Sequence, residues 1–109
     1  MPERERRHGP RMPVQMWVEE TSAEGTYFNH SANLSAGGIY LEKTIPHPVG
    51  TVVQLQFTLP GDPAPIRVRA KIVAAMTGDD RVGMGLNFVD AAPDVVRRIN
   101  KYIDDAGGS

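Results

Sequence analysis

Apolar and polar residues alternate along much of this chain with the period of two that half-buried strands have. The alternation runs from Met12 to Val18 and returns in the segments TVVQLQFTLP, IRVRAKIVAAM and VGMGLNFV. Two further extended segments, TYFNHSANLS and IYLEK, are separated by Gly37 and Gly38, and the first of them alternates less cleanly. Six short strands with turns between them predict an antiparallel barrel or sandwich. The polar stretch EETSAEG is predicted as a turn, and PHPVG and PGDPAP as loops.

The end of the chain has a different period. The apolar residues of DAAPDVVRRINKYIDD recur at helical spacing, and Pro93 and Asp94 suit the first turn of a helix. We therefore predict one amphipathic helix that covers the open end or a side of the barrel. The predicted organisation is an arm over residues 1–11, one domain over 12–105 and a disordered tail over 106–109. A small barrel fills its interior with side chains, so any function belongs to its surface, loops or arm.

Composition narrows the function classes. The chain has 109 residues and a formal net charge of −1. It contains no cysteine, and this excludes disulfides and thiolate chemistry. Its start is charged and lacks the apolar segment of a signal peptide, and no stretch is long enough to span a membrane. A cytoplasmic protein without membrane association is expected.

Few residues could support catalysis or bind a metal. The three histidines, His8, His30 and His47, fall in separate segments without metal-ligand spacing. The carboxylates lie in predicted turns and at the helix ends, where solvation explains them. Ser35 lies two residues before the pair Gly37 and Gly38, which is typical of a turn, and it has no surrounding nucleophile motif. Neither an enzyme nor a cofactor or metal site is expected.

Two polar motifs remain. Arg7 and Arg11 stand four residues apart, and Pro10 keeps Gly9 out of helical geometry, so this segment is extended or turned. Two guanidinium groups on such a tether can bind phosphate oxygens or the O6/N7 edge of guanine through paired hydrogen bonds.

The second motif is NLSAGG. Asn33 and Ser35 are two residues apart and would project from the same face of a strand. Gly38, together with Gly37, would let a ligand approach the backbone closely. An amide, a hydroxyl and an open backbone can together bind the edge of a nucleobase.

The two motifs and the strand pattern together resemble the PilZ domain family, the bacterial receptor modules for cyclic di-GMP. The family pattern of Arg-x-x-x-Arg followed by Asp/Asn-x-Ser-x-x-Gly is complete in Arg7, Arg11, Asn33, Ser35 and Gly38. The resemblance implies a six-stranded antiparallel β-barrel with a C-terminal helix that binds cyclic di-GMP on its outside. It also implies that the arginines clamp the ligand, while the second motif contacts guanine and ribose-phosphate groups.

Further expectations follow from this resemblance. Arg6 and Gly37 are auxiliary candidates for the same site. The expected partners are cyclic di-GMP and an unidentified protein, and the expected state is a monomer or weak homodimer. The basic residues Arg67, Arg69 and Lys71 are predicted to form a solvated strand face. Trp17 lies opposite the apolar face of its strand, so partial exposure is predicted, and packing under the helix is expected rather than stacking on a ligand.

Two other function classes stay open. One is a PilZ-like protein-interaction module that binds no nucleotide, for which partner binding would not depend on the arginines. The other is a small-barrel binder of single-stranded nucleic acid, in which the arginine cluster would follow the phosphate backbone. The net charge of −1 and the aromatic share of 6% disfavour the second class.

Overall fold

A computed structural model of the chain describes residues 11–78 and 82–107. These residues form seven strands and one helix: β1 (Met12–Pro13), β2 (Trp17–Ser22), β3 (Gly25–Ser35), β4 (Gly38–Glu42), β5 (Val52–Phe57), β6 (Ile66–Thr77), β7 (Val82–Val89) and α1 (Pro93–Ala106). The predicted helix is present and begins at Pro93, as its sequence indicated.

The strands close into a barrel. Their order is β3-β2-β5-β6-β7-β4, and β4 pairs back onto β3, so six antiparallel strands form a ring. The short strand β1 also pairs with β3, next to β2. The predicted antiparallel barrel is therefore confirmed, and the sandwich alternative is wrong because β3 and β4 are hydrogen-bonded to each other.

The predicted strand from Met12 to Val18 is divided into β1 and β2. Its alternation is present, with Val14, Met16 and Val18 buried in the core. The division arises because the Ser31 hydroxyl replaces ladder hydrogen bonds: it accepts from the Met16 amide at 3.1 Å and donates to the Val14 carbonyl at 2.6 Å. This buried serine of β3 holds the two short strands on the same edge.

The predicted turn EETSAEG is largely wrong. Glu19 to Ser22 belong to β2, and only Ala23 and Glu24 form the turn to β3. Pairing with β3 on one side and β5 on the other extends the strand despite its polar sequence.

Glu20 also departs from the expectation that the carboxylates are solvated. It is 1% exposed and accepts a hydrogen bond from Asn29 Nδ2 at 2.7 Å. Its other oxygen lies 2.5 Å from His47 Nε2. Three polar residues from separate segments therefore lie together, with Glu20 and Asn29 buried and His47 partly exposed.

Helix α1 packs on the barrel through Val95, Ile99 and Ile103, which join the apolar core. Arg98 fixes the helix to the turn between β5 and β6. Its Nε donates to Asp62 Oδ2 at 3.0 Å, and its Nη2 donates to the Ala64 carbonyl at 2.5 Å. The helix is thus attached by both apolar burial and a charged contact.

Candidate functional site

The outer surface of β3 and β4 carries the second sequence motif. Ile39 and Leu41 of β4 are fully buried, so the alternate residue Tyr40 projects outward. Asn33 of β3 is paired directly with Tyr40, and Leu34 beside it is fully buried. Asn33 and Tyr40 are therefore neighbours on the outside of the barrel.

A bulge in β3 brings Asn33 to this face. Before the bulge the buried residues are Asn29 and Ser31; after it Leu34 is buried in the core, and Ser35 is buried at the strand end. The pairing with β4 shifts between Ser31 and Asn33, which inserts one residue into the alternation. The less clean alternation of TYFNHSANLS has this extra residue as its cause.

Arg11 reaches the second motif directly. Its Nη1 donates a hydrogen bond to Asn33 Oδ1 at 2.6 Å. The following residue, Met12, is paired with Leu34, so β1 positions Arg11 at the end of β3 that carries the motif. The structure therefore joins one residue of each motif, although they lie 22 positions apart in sequence.

Ser35 is the last residue of β3, directly before the turn to β4, and its side chain is fully buried. Its hydroxyl accepts a hydrogen bond from the Gly37 amide at 3.2 Å and lies 3.5 Å from the Gly38 carbonyl. The Gly37 carbonyl accepts from the Phe88 amide of β7 at 2.9 Å. In this arrangement Ser35 and Gly37 fix the backbone of the turn.

Gly38 has a packing role that its motif did not reveal. A Cβ at this position would lie close against the Leu86 carbonyl oxygen of β7 and 3.3 Å from Asn87 Oδ1. Only glycine lets β4 approach β7 at this point. The sequence indicated close approach to a ligand, and the structure shows close approach to a neighbouring strand.

The two remaining candidates, Arg7 and Arg6, lie outside the described residues. Of the others, the structure brings Arg11 and Asn33 into contact and gathers Ser35, Gly37 and Gly38 in the adjoining turn. The candidate residues thus form one continuous area at the β1, β3 and β4 edge.

Strand β7 adds residues to this area that the sequence did not single out. Asn87 is paired with Gly38, and Gly85 is paired with Tyr40. The ring of Tyr40 covers the glycines of β7, and its Cδ1 lies 3.8 Å from the Cβ position of Gly85. Linear spacing carries no signal for these residues, because their proximity depends on pairing between β4 and β7.

The family model for the PilZ domain matches residues 5–105. This chain belongs to the PilZ domain family. The membership accounts for the closed barrel with a C-terminal helix, and the matched range includes both polar motifs.

Solved structures give the same fold. The PilZ domain is similar to the Bacillus subtilis inhibitor of motility MotI/DgrA, with a TM-score of 0.79 and 19% identity, over 89% of this chain and 49% of that one. It is similar to Escherichia coli YcgR in complex with c-di-GMP, with a TM-score of 0.76 and 16% identity, over 90% of this chain and 44% of that one.

A third similar structure is the PilZ domain of CeSA from a cellulose-synthesizing bacterium, with a TM-score of 0.69 and 18% identity, over 91% of this chain and 99% of that one. The chain thus spans about half the length of MotI and YcgR, and nearly all of the isolated CeSA domain. The search of curated proteins finds no matching relative.

A separate aromatic area lies on the outer surface of β2 and β3 of this PilZ domain. Trp17 is 64% exposed and Phe28 is 67% exposed, and together with Glu19 and Gln56 they border a shallow depression. The ring of Trp17 lies 4.2 Å from that of His30. The expectation that Trp17 packs under the helix is wrong, because its partner is a neighbouring strand residue.

Neither a metal site nor a membrane-spanning helix is found among the described residues. Within residues 11–78 and 82–107, no group of three or more acidic or histidine side chains is arranged to hold a metal ion. No helix in this part of the chain has the length and apolar character needed to cross a bilayer.

Proposed function

We propose that this PilZ domain is a receptor that binds cyclic di-GMP on the outer surface formed by β1, β3 and β4. YcgR and MrkH, two structurally similar proteins, have been solved in complex with c-di-GMP. The residues that the family motifs assign to the ligand are all present in this chain: Arg7, Arg11, Asn33, Ser35 and Gly38.

The hydrogen bond between Arg11 and Asn33 is the observation that carries this proposal. Asn33 is a neutral partner, and Arg11 has no carboxylate partner among the described residues. Its positive charge is therefore available to a ligand phosphate, while the Asn33 amide can bind a guanine edge. Ser35 and Gly37 keep the adjoining turn in one shape, so the site requires little reorganisation there.

Isothermal titration calorimetry with cyclic di-GMP tests the proposal. Arg11→Ala is expected to weaken binding by about 1–3 kcal/mol, which is the range for a bidentate contact. Arg7→Ala should produce a loss of similar size. Circular dichroism should remain unchanged for Arg11→Ala, because its one observed contact is exposed.

Arg97→Ala is the matched control, since Arg97 lies on α1 and pairs with Asp94 at 2.8 Å. It should bind the nucleotide as the unaltered protein does. The absence of heat with a folded protein at high micromolar nucleotide would overturn the proposal. Equal losses for Arg97→Ala and Arg11→Ala would also overturn it, because the effect would then not be local to the site.

We further propose that the bound nucleotide changes the contacts of residues 1–11, and that this alters the surface offered to a partner protein. Arg11 directly precedes β1 and donates a hydrogen bond to Asn33, so it links the start of the chain to the second motif. Amide hydrogen exchange of residues 1–11 should slow on nucleotide addition and remain unchanged in Arg11→Ala.

A protein-interaction module that binds no nucleotide is the second candidate. The exposure of Trp17 and Phe28 favours it, because large aromatic side chains in the open are characteristic of binding surfaces. In that case a partner would bind equally well to the unaltered protein and to Arg11→Ala, and would be lost with Trp17→Ala. Calorimetry with the nucleotide separates the two functions in one measurement.

A further inference from the structure

Asn87 of β7 presents an amide that the fold does not use. The residue is half-buried on the outer surface, between the buried Leu86 and the partly buried Phe88. Its side chain makes no hydrogen bond to any of the described residues. An asparagine that supported the fold would be expected to bond a neighbouring backbone or side chain.

The position of Asn87 connects it with the second motif. Asn87 is paired with Gly38, which is itself paired with Ser35. Its Oδ1 lies 3.3 Å from the place where a Gly38 side chain would begin. The missing side chain of Gly38 therefore leaves the Asn87 amide uncovered at the border of the candidate site.

The surroundings of this amide suit a nucleobase and a phosphate. On the next pair of residues, the Tyr40 ring lies over Gly85 and extends toward Gly83, which gives a flat apolar surface that begins one residue pair away from the amide. On the other edge of β7, Asn87 is paired with Lys71, an exposed cation that makes no ion pair with the described residues. The same outer face also carries one anion, Glu42, which lies two residues beyond Tyr40 on β4.

The distance between Asn33 and Asn87 suits a ligand that has two bases. Neighbouring strands lie about 4.8 Å apart, and Asn33 on β3 and Asn87 on β7 are two strands and two residues apart, so they are separated by about 12 Å. A dinucleotide whose first guanine contacts Arg11 and Asn33 could extend across β4 toward β7. Its second guanine would then meet an amide that can both donate and accept.

We propose that Asn87 is a further ligand-binding residue, whose amide binds the second guanine of the dinucleotide while Tyr40 and Gly85 form the floor beneath it. This inference rests on the proposed function and extends its site across β4 to β7. Lys71 supplies positive charge at the far end of the same row.

Calorimetry of the full chain with cyclic di-GMP tests the role of Asn87. Asn87→Ala is expected to weaken binding about tenfold and to leave the melting temperature unchanged, because the side chain has no partner in the fold. The control is Asn100→Ala on the exposed face of α1, which should bind within about twofold of the unaltered protein.

The outcomes separate this inference from the function itself. If Arg11→Ala weakens binding and Asn87→Ala does not, the inference is overturned and the receptor function stands. A parallel loss of binding and melting temperature in Asn87→Ala would assign a structural role and overturn it as well. If the unaltered folded protein gives no heat, the receptor function fails, and this inference fails with it.

A second measurement detects binding in the unaltered protein and uses a variant only to assign signals. In ¹⁵N-labelled protein the side-chain amide signals of Asn87 are identified by their loss in Asn87→Asp. Addition of cyclic di-GMP should shift these signals and give nuclear Overhauser contacts to guanine protons, while the Asn100 side-chain signals stay in place. Unmoved Asn87 signals at saturation would overturn the inference.

Discussion

Arg11 and Arg98 are held in contrasting ways, although each makes a long-range hydrogen bond. Arg98 is 21% exposed and pairs with the Asp62 carboxylate, and it also donates to a backbone carbonyl. Arg11 is exposed and bonds only the neutral Asn33 among the described residues. The charge of Arg98 is balanced by Asp62, whereas Arg11 has no carboxylate partner within residues 11–78 and 82–107.

The partner of each arginine distinguishes structural from ligand-binding cations in this barrel. An arginine that ties two elements together benefits from a carboxylate of its own chain. An arginine that binds an anionic ligand is better oriented by a neutral acceptor, because a carboxylate would compete with the ligand for the guanidinium. The contact with Asn33 can orient Arg11 without neutralising it.

The largest expected effect is a loss of stability on substitution of Gly38. Gly38 belongs to the ligand motif by sequence, but like Arg98 it holds two elements of the fold together. Gly38→Ala would force a Cβ against the Leu86 carbonyl and push β4 away from β7. We expect a loss of about 2–3 kcal/mol in the free energy of unfolding. Urea denaturation followed by circular dichroism measures it.

The matched control for that change is Gly78→Ala. Gly78 has no heavy atom within 4 Å of its Cβ position and no positive φ angle. Its substitution should leave the free energy of unfolding within about 0.5 kcal/mol of the original. If Gly38→Ala were equally mild, the packing role of Gly38 would be wrong and a ligand role would be favoured.

A smaller effect is expected for Arg98→Ala. The substitution removes the charged contact between α1 and the turn after β5, so the melting temperature should fall by about 4–8 °C. Nucleotide affinity should stay the same at a temperature where both proteins are folded. A loss of affinity without a loss of melting temperature would break the comparison, since Arg98 would then behave as Arg11 is proposed to do.

The smallest effect is a pH dependence of the same contact. The hydrogen bond from Arg98 lowers the pKa of Asp62, so the contact stabilises the fold above the pKa of an unfolded aspartate. That contribution disappears as pH falls through the lowered pKa of the folded state. The difference in melting temperature between the unaltered protein and Arg98→Ala should be constant near neutrality and should narrow below about pH 4. A difference that is unchanged at pH 3 would exclude Asp62 as the partner that matters.

Much of the fold could be predicted because its signals are local. Alternation identified the strands β5, β6 and β7, and helical spacing together with Pro93 identified α1. The two-part strand of β1 and β2 could not be foreseen, since it depends on a hydroxyl of Ser31 that is distant in sequence. Glu20 was missed for a similar reason, because its partners Asn29 and His47 come from other segments.

The candidate site likewise contains some features that could be predicted from the sequence and others that could not. The grouping of Arg11 with Asn33 could be predicted because each belongs to a motif with its own spacing. The packing role of Gly38 could not, because it depends on the distance between β4 and β7. Asn87 carries no local signal, and its relation to Gly38 exists only through strand pairing.

The bulge in β3 has a consequence for how such a domain can change over evolutionary time. Asn29 and Ser31 point inward at odd positions, and after one extra residue the inward position passes to Leu34. Because Ala32 is the extra residue, its removal would restore regular alternation and leave Asn33 outward and Leu34 inward. The outward placement of the motif would therefore survive a one-codon deletion at this point, because the bulge is where β3 carries an extra residue.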